Sequence, residues 1–517
     1  MTQTFTWLDA LVLIVYLGGV TALGMYFGRK QRDATDYFVA SHSIPWWALM
    51  LSIVATETSA LTFISTPGLS YGATAGSGDL GFLQIVAGYI LGRIVVATVL
   101  LPRYVKGKMV TAYALLEQRF GLVARRFTSI VFMVTRALAD SVRVFATAIP
   151  IALIISPSVK NESLVMPVAI LILGALTVVY TYRGGMKAVV WTELLQASVY
   201  LLGALAALVL LGHSVTGGWS AILSQAAAAD KLRLIDTYVG LDRAHTVWAG
   251  LLGGAFLAMA SHGTDQLIVQ RLLSARNLRD GQKAIIGSGI VVFFQFALFL
   301  FIGLGLWAFY QGRIFPATDQ IFPTFIIDRM PPGLVGLIIA AVVAATMSTH
   351  SGAINSLAAA TTHDIYLPLT KRSADAPETL RMGKIFAAVW GTVLTLGALA
   401  FPRETTTPVV VVALGIASFT YGGLLGGFFL GVFWARANQR DAIIGMSVGI
   451  AAMSFIVFAK QLTAWVPALA DPLAPFASIA WPWYVLIGTS ITMATGILSS
   501  LTHAAPAAVP QPTGARP

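Results

Sequence analysis

The 517-residue chain contains no cysteine. Disulfides, thiol nucleophiles and cysteine-ligated zinc are excluded, and cysteine usage carries no information on compartment. Charge is scarce as well. Only 11% of residues are Asp, Glu, Lys or Arg, against 57% hydrophobic, where a soluble domain carries about 25% charged residues. So few charges cannot cover the aqueous surface of a soluble protein of this length, so most of the chain must face lipid. The seven histidines (positions 42, 213, 245, 262, 350, 363 and 503) are scattered without HExxH spacing, and no GxxxxGK[ST] run occurs. Metal hydrolysis and ATP-driven chemistry therefore lack their motifs. No nucleophile–base pattern is present either, so the chain does not read as an enzyme and no cofactor is expected.

The net charge is +11, which by itself would suit nucleic acid. Its distribution does not, because the positive residues sit in short loops between apolar runs, the pattern that orients membrane proteins. A membrane-spanning helix needs about 20 mostly apolar residues. Roughly thirteen such runs are read, near 7–27, 44–72, 78–101, 127–155, 164–182, 187–212, 247–270, 284–310, 333–366, 384–401, 408–434, 441–460 and 481–501. The first is not a signal peptide: no Lys or Arg precedes it, Arg29-Lys30-Gln31-Arg32 follows, and it is too long for an h-region. With the N-terminus outside, most Lys and Arg fall in inside loops, Arg103, Lys187, Arg271 and Arg276 among them, and few outside, Lys231 and Arg233 among those. The expected protein is all-α and multi-pass, with its C-terminus in the cytoplasm and a bacterial-type inner membrane as its setting. Lipid is its expected surround; no nucleic acid and no obligate protein partner is read. The Ala/Pro-rich segment 504–517 reads as a disordered tail.

Several polar stretches make poor lipid-facing helix. Glu57 lies mid-span in Ser52–Gly68 with hydroxyls on both sides, and an intramembrane carboxylate marks a functional site by default, an internal ion pair being the alternative. Residues 260–271 place Ser261, His262, Gly263, Thr264 and Asp265 in succession, which suits an interrupted helix lining a cavity or simply the end of a span. Ala345, Ser348 and Thr349 share one helix face. Their hydroxyls can offer oxygen to a hard cation, or the small side chains can pack helix on helix. Arg136, Asp140 and Arg143 stand at i, i+4 and i+7, so internal pairing is easy, while Arg136 is also placed to meet a substrate anion. Glu193 is a further carboxylate near a span start, and Arg93 is a partner for one of the acids.

Four segments together resemble the sodium:solute symporter family, which includes sodium–glucose, proline, sialic-acid, iodide and multivitamin transporters. They are Asp36–Ala40 with Ile44-Pro45-Trp46-Trp47, then Arg183–Glu193, then Thr264–Arg271 with Leu273–Leu278, and last Asp319, Phe322-Pro323, Pro332–Leu334, Met347–Thr349, Asn355-Ser356 and Asp364–Tyr366. The resemblance implies a LeuT-like inverted repeat of five plus five helices, with one leading and two trailing helices. The expected divisions are a leading helix and loop 1–43, a first repeat 44–213, an external loop 214–246, a second repeat 247–435 and trailing helices 436–503. The first helix of each repeat is then interrupted near the midplane, where solute and ion bind.

By the same resemblance, one sodium site uses backbone carbonyls of Ala55, Thr58 and Ala345 and hydroxyls of Ser348 and Thr349. A second site in some relatives would here draw on Glu193, Ser348 and Ser351, though Gly352 stands where those relatives have serine. Substrate positions are Ser59, Thr62, Gln84 and Arg136, with Ser261 and His262 where sugar carriers have aromatics, and Glu57 where a neutral polar residue is usual. The implied activity is sodium-coupled uptake of a small carboxylate or zwitterion by alternating access. Two other functions fit less of the sequence: a proton-coupled carrier using Glu57 or His262, and a membrane solute sensor.

Overall fold

The computed structural model describes residues 6–27, 37–38, 40–57, 60–74, 77–106, 109–155, 161–374, 376–401, 409–459, 462–463 and 466–504, and no β-strand occurs among them. The principal helices are α1 (Trp7–Phe27), α2 (Trp46–Glu57), α3 (Ala60–Tyr71), α4 (Phe82–Val95), α5 (Ala114–Phe120), α6 (Leu122–Ile155), α7 (Glu162–Ser214), α8 (Gly218–Ala228), α9 (Gly254–Gly263), α10 (Gln266–Leu273), α11 (Leu278–Phe309), α12 (Ile321–Arg329), α13 (Leu334–Ala360), α14 (Pro377–Leu399), α15 (Val409–Phe433), α16 (Gln439–Val457) and α17 (Trp483–Ser500).

Among the described residues, eight helices are long and apolar enough to cross a membrane, or nine when the bent pair α2–α3 counts as one. α6 has the length, 34 residues, but carries Arg136, Asp140 and Arg143 mid-helix. It can sit in a bilayer because Arg136 and Asp140 are buried and paired, with Arg143 Nε 3.6 Å from Asp140. The two runs expected at 164–182 and 187–212 emerge as one stretch of helical residues, α7, of 53 residues. A straight helix of that length would measure about 80 Å, far beyond a bilayer core of about 30 Å. Within α7, Ala188–Ser214 is long and apolar enough to cross a membrane, and Ser163–Val178 is a shorter apolar part.

The expected interruptions are present. α2 and α3 are inclined by 60° across the short break between them. The run expected at 247–270 forms a π turn, Ala249–Gly253, then α9, then α10. Asp265 makes the second break: its backbone is extended and its carboxylate caps α10 by accepting the amide of Leu267. An N-cap aspartate both stops the preceding helix and satisfies an orphan donor of the next.

α13 lies at the centre, with 88% of its most apolar stretch buried, whereas α1 lies at the edge with 17%. α13 packs on α7, α1, α14 and α6, and the trailing helices α16 and α17 pack on α15 and on each other. Gly88 and Gly92, one turn apart on α4, let α4 close onto the α9 side. A Cβ at Gly88 would lie 2.2 Å from the Gly250 carbonyl oxygen, and one at Gly92 2.3 Å from that of Ala255. Close backbone approach at small residues is how helices associate in lipid, where no hydrophobic force distinguishes partner from solvent.

Polar anchors hold the periphery. Asp9 of α1 accepts the amides of Gly333 and Gly336 at 2.7 and 2.9 Å, a carboxylate placed on the positive N-terminal end of α13. Lys231, which the charge pattern assigns to an outside loop, is buried. Its ammonium donates to the carbonyls of Ser70, Tyr71, Ser77 and Gly78, which ties the loop after α8 to the end of α3, and burial pulls its pKa down. At the other end of the chain, His503 contacts Asp441 of α16 at 2.9 Å and the Ala504 carbonyl at 2.8 Å. These two acceptors raise its pKa above the ordinary 6.5, the Ala504 carbonyl most. A raised histidine stabilises the fold fully below its unfolded pKa, and that contribution is lost as pH rises through the folded value. His503→Ala is expected to remove a small part of the difference in melting temperature between pH 6 and pH 8, read by a thermal scan of the detergent-solubilised protein.

Candidate functional site

Glu57 ends α2, next to the break. Its carboxylate forms an ion pair with Arg93 of α4, and His262 Nε2 of α9 lies 3.5 Å away. Arg93 Nη1 donates to Ser288 Oγ of α11 at 3.0 Å, and His262 Nδ1 shares a hydrogen bond with Ser261 Oγ at 2.8 Å. Thr62 donates across the break to the Glu57 carbonyl at 3.4 Å. Glu57, Thr62, Ser261 and His262, four of the expected substrate residues, are thus brought together around the two interruptions. The Arg93 side chain has no exposure while that of Glu57 keeps 16%, so the carboxylate is the more accessible member of the pair. Thr58 and Ser59 lie outside the described residues, as do the side chains of Ala345 and Ser348.

Two expected substrate residues are engaged elsewhere. Gln84 donates from Nε2 to the carbonyls of Gly81 and His245 at 3.2 and 3.1 Å, and its Oε1 accepts from the Asp236 amide at 3.3 Å. Its amide pins the loop before α9. Arg136 is held on both sides. Nε and Nη2 fork onto Asp140 at 2.5 and 2.9 Å, and Nη1 reaches Asp265 at 2.8 Å. The i, i+4 pairing was readable, but the second carboxylate lies 129 positions away and turns Arg136 into an internal tie between α6 and the α9–α10 break. Tyr421 of α15 donates to the same Asp265.

On the ion side, Ala55 is buried in α2, which packs against α13, and Thr349 is buried in α13. Glu193 of α7 is engaged inside the protein. Its carboxylate accepts from Ser52 and Thr56 of α2 and from Arg271 Nη2 of α10 at 2.6 Å. Arg271 also donates to Ser52 Oγ at 3.1 Å and to the Leu267 carbonyl at 2.7 Å. A Cβ at Gly352 would lie 2.8 Å from Arg271 Nη2, so the guanidinium reaches the face of α13 where Gly352 follows Ser351. Ser351 Oγ is buried without a hydrogen-bond partner. The sequence reading missed Arg271, counting it as a cytoplasmic loop charge. The signal was its position less than two helical turns after a helix-breaking Asp, at the edge of an apolar run.

Comparisons with known proteins bear on the family and the fold. A family model described as the sodium:solute symporter family matches residues 37–449. The sodium/sialic acid symporter NanT of Aliivibrio fischeri is 30% identical over 467 residues, 89% of this chain and 90% of that protein. The sodium-dependent multivitamin transporter of Oryctolagus cuniculus is 29% identical, over 95% of this chain and 77% of that one. Sodium-coupled monocarboxylate transporter 2 of Bos taurus is 26% identical, over 83% and 69%. Among solved structures, a substrate-bound, outward-open sodium-coupled sialic acid symporter described as having a novel sodium site superposes with a TM-score of 0.81 at 27% identity, covering 97% of this chain and 99% of that one. A nucleobase-cation-symport-1 family transporter in a closed conformation, at TM-score 0.53 and 14% identity, shares the fold over 90% and 94%.

Proposed function

Because the chain belongs to the sodium:solute symporter family, we propose that it moves a small carboxylate or zwitterion into the cell with sodium, through the gap around the α2–α3 and α9–α10 interruptions. The class is a multi-pass, sodium-coupled secondary transporter of a small solute. The finer reading rests on one observation above all: a carboxylate, Glu57, faces the break of α2–α3 with His262 and Ser261 from the second interrupted helix opposite it.

In this reading sodium sits on carbonyls of Ala55, Thr58 and Ala345 and hydroxyls of Ser348 and Thr349, five oxygens and no carboxylate. Such a set binds weakly enough to release in dilute cytoplasmic sodium. Solute contacts Glu57, Ser59, Thr62, Ser261 and His262. The repeats, 44–213 and 247–435, rock about the site, with the N-terminus outside and the C-terminus inside as the charge distribution asks. One charge moving through about 100 mV contributes roughly 2.3 kcal/mol, close to a fiftyfold solute accumulation. The engagement of Glu193 by Arg271 supports one sodium per cycle, since the acid expected to hold a second already has a fixed cation.

The test is uptake of labelled sialic acid and lactate into proteoliposomes under a sodium gradient, with choline as control. Wild type is expected to accumulate one of them only with sodium, with a Hill coefficient near one. Ser348→Ala/Thr349→Ala is expected to need at least about tenfold more sodium, as ligand number sets affinity. Uptake that tracks a proton gradient and ignores sodium would favour the carrier reading built on Glu57 and His262, which lie 3.5 Å apart.

A further inference from the structure

The seam between α6 and α13 holds polar groups that the sodium and solute sites do not use. Asp140 is taken by Arg136, so Arg143, one turn further on, reaches Asp140 only at 3.6 Å, beyond hydrogen-bond range. Arg143 Nε and Nη1 are buried with no hydrogen-bond partner. Across the seam on α13, His350 is 4% exposed and neither ring nitrogen has a partner. Both residues line a void of about 10 Å³ together with Asp140, Val144, Thr147, Thr346 and Thr349. Buried donors in native proteins are nearly always satisfied, and a cluster left open asks for an acceptor.

We propose that Arg143, with His350 beside it, receives the carboxylate of the transported solute, the role the sequence suggested for Arg136; the inference rests on the sodium-symport reading. A guanidinium fork matches a carboxylate in shape and charge. The void is the size of one water, so it admits a carboxylate oxygen and not the body of a solute. The body stays on the side where the Arg143 side chain keeps 22% exposure.

Charge balance supplies the link to sodium. Arg136, Arg143, Asp140 and Asp265 sum to zero, Arg136 facing two carboxylates and Arg143 balancing the one in excess. An anion on Arg143 alone would leave the seam negative, and sodium alone would leave it positive. Thr349, a sodium ligand in the proposed site, lines the same void as Arg143. The two ligands therefore favour each other's binding, and such coupling is reciprocal.

The experiment uses the purified full chain and thermal stability in sodium or choline, titrated with sialic acid, its methyl ester, and lactate. The variants are Arg143→Gln, Arg143→Lys and His350→Asn. In wild type, sodium is expected to raise the melting temperature and a carboxylate to raise it further only with sodium present, the ester having no effect. Arg143→Gln is expected to keep the sodium shift and to raise the half-saturating carboxylate concentration about ten- to hundredfold, the worth of hydrogen bonds to a charged group. Arg143→Lys, which keeps the charge, recovers part, and His350→Asn gives a smaller rise. An unchanged carboxylate response in Arg143→Gln, an equal response to the ester, or no carboxylate increment in wild type overturns the inference while leaving sodium coupling standing. If Arg143→Gln does not fold, the Lys and His350 variants decide, and wild-type carboxylate affinity in both overturns it. No sodium shift in wild type overturns the reading on which it rests.

Discussion

Arg271→Ala is expected to lower the stability of the folded chain by about 3–5 kcal/mol, the usual cost of breaking a buried ion pair from one side. The Arg271 side chain has no exposure and that of Glu193 has 1%. Removing the guanidinium leaves a carboxylate among α2, α7 and α10 with only the hydroxyls of Ser52 and Thr56, which cannot replace a full opposite charge. Because both partners are equally sealed, Glu193→Ala is expected to cost a similar amount. The double variant Arg271→Met/Glu193→Gln leaves no uncompensated charge and is expected to return to within about 1–2 kcal/mol of wild type, since a buried pair against its neutral replacement is often close to even. Urea or thermal unfolding of the three variants in detergent measures this. Wild-type stability in Arg271→Ala would show that the pair does not hold these helices. If restored stability in the double variant is accompanied by lost uptake, the pair has a part in the transport cycle beyond holding the fold.

This pair also shows where sequence reading stops. Hydropathy runs located the helices, because lipid imposes a length and a composition that few other constraints imitate. The breaks were legible too: Asp265 after Gly263-Thr264 and Glu57 among hydroxyls are residues that an uninterrupted lipid-facing helix would not tolerate. Local pairing could be read from helical spacing, as for Arg136 and Asp140. Partners far apart in sequence could not. Arg136 meets Asp265, Arg271 meets Glu193 and Lys231 meets the end of α3 only because the helices stack as they do. An ionisable residue near a span end looks the same in sequence whether it faces water or a buried partner. That is why the charge pattern alone assigns Arg271 and Lys231 to loops, and why it does not reveal the internal partners of Gln84 and Arg136.

Glu57→Ala is expected to be the more damaging half of the other buried pair, costing about 3–5 kcal/mol, with Arg93→Ala costing roughly half as much. The asymmetry comes from which charge is left behind. Without Glu57, the fully buried Arg93 guanidinium retains only the Ser288 hydroxyl and has no route to water. Without Arg93, the Glu57 carboxylate keeps its partial exposure and the nearby His262 ring, so water and the imidazole take up part of the loss. The ordering is opposite to what a solute-facing ornament would give, since a residue that only touched solute could be removed without unfolding anything. Paired unfolding curves in detergent separate the cases. Equal losses would mean that Glu57 is as sealed as Arg93 and cannot be a contact for solute. A near-neutral Glu57→Ala would mean that Arg93 finds another acceptor and that the carboxylate belongs to the transport site alone. The expected order, with uptake lost in both variants, would mean that one carboxylate both neutralises Arg93 and faces the passage between the two broken helices.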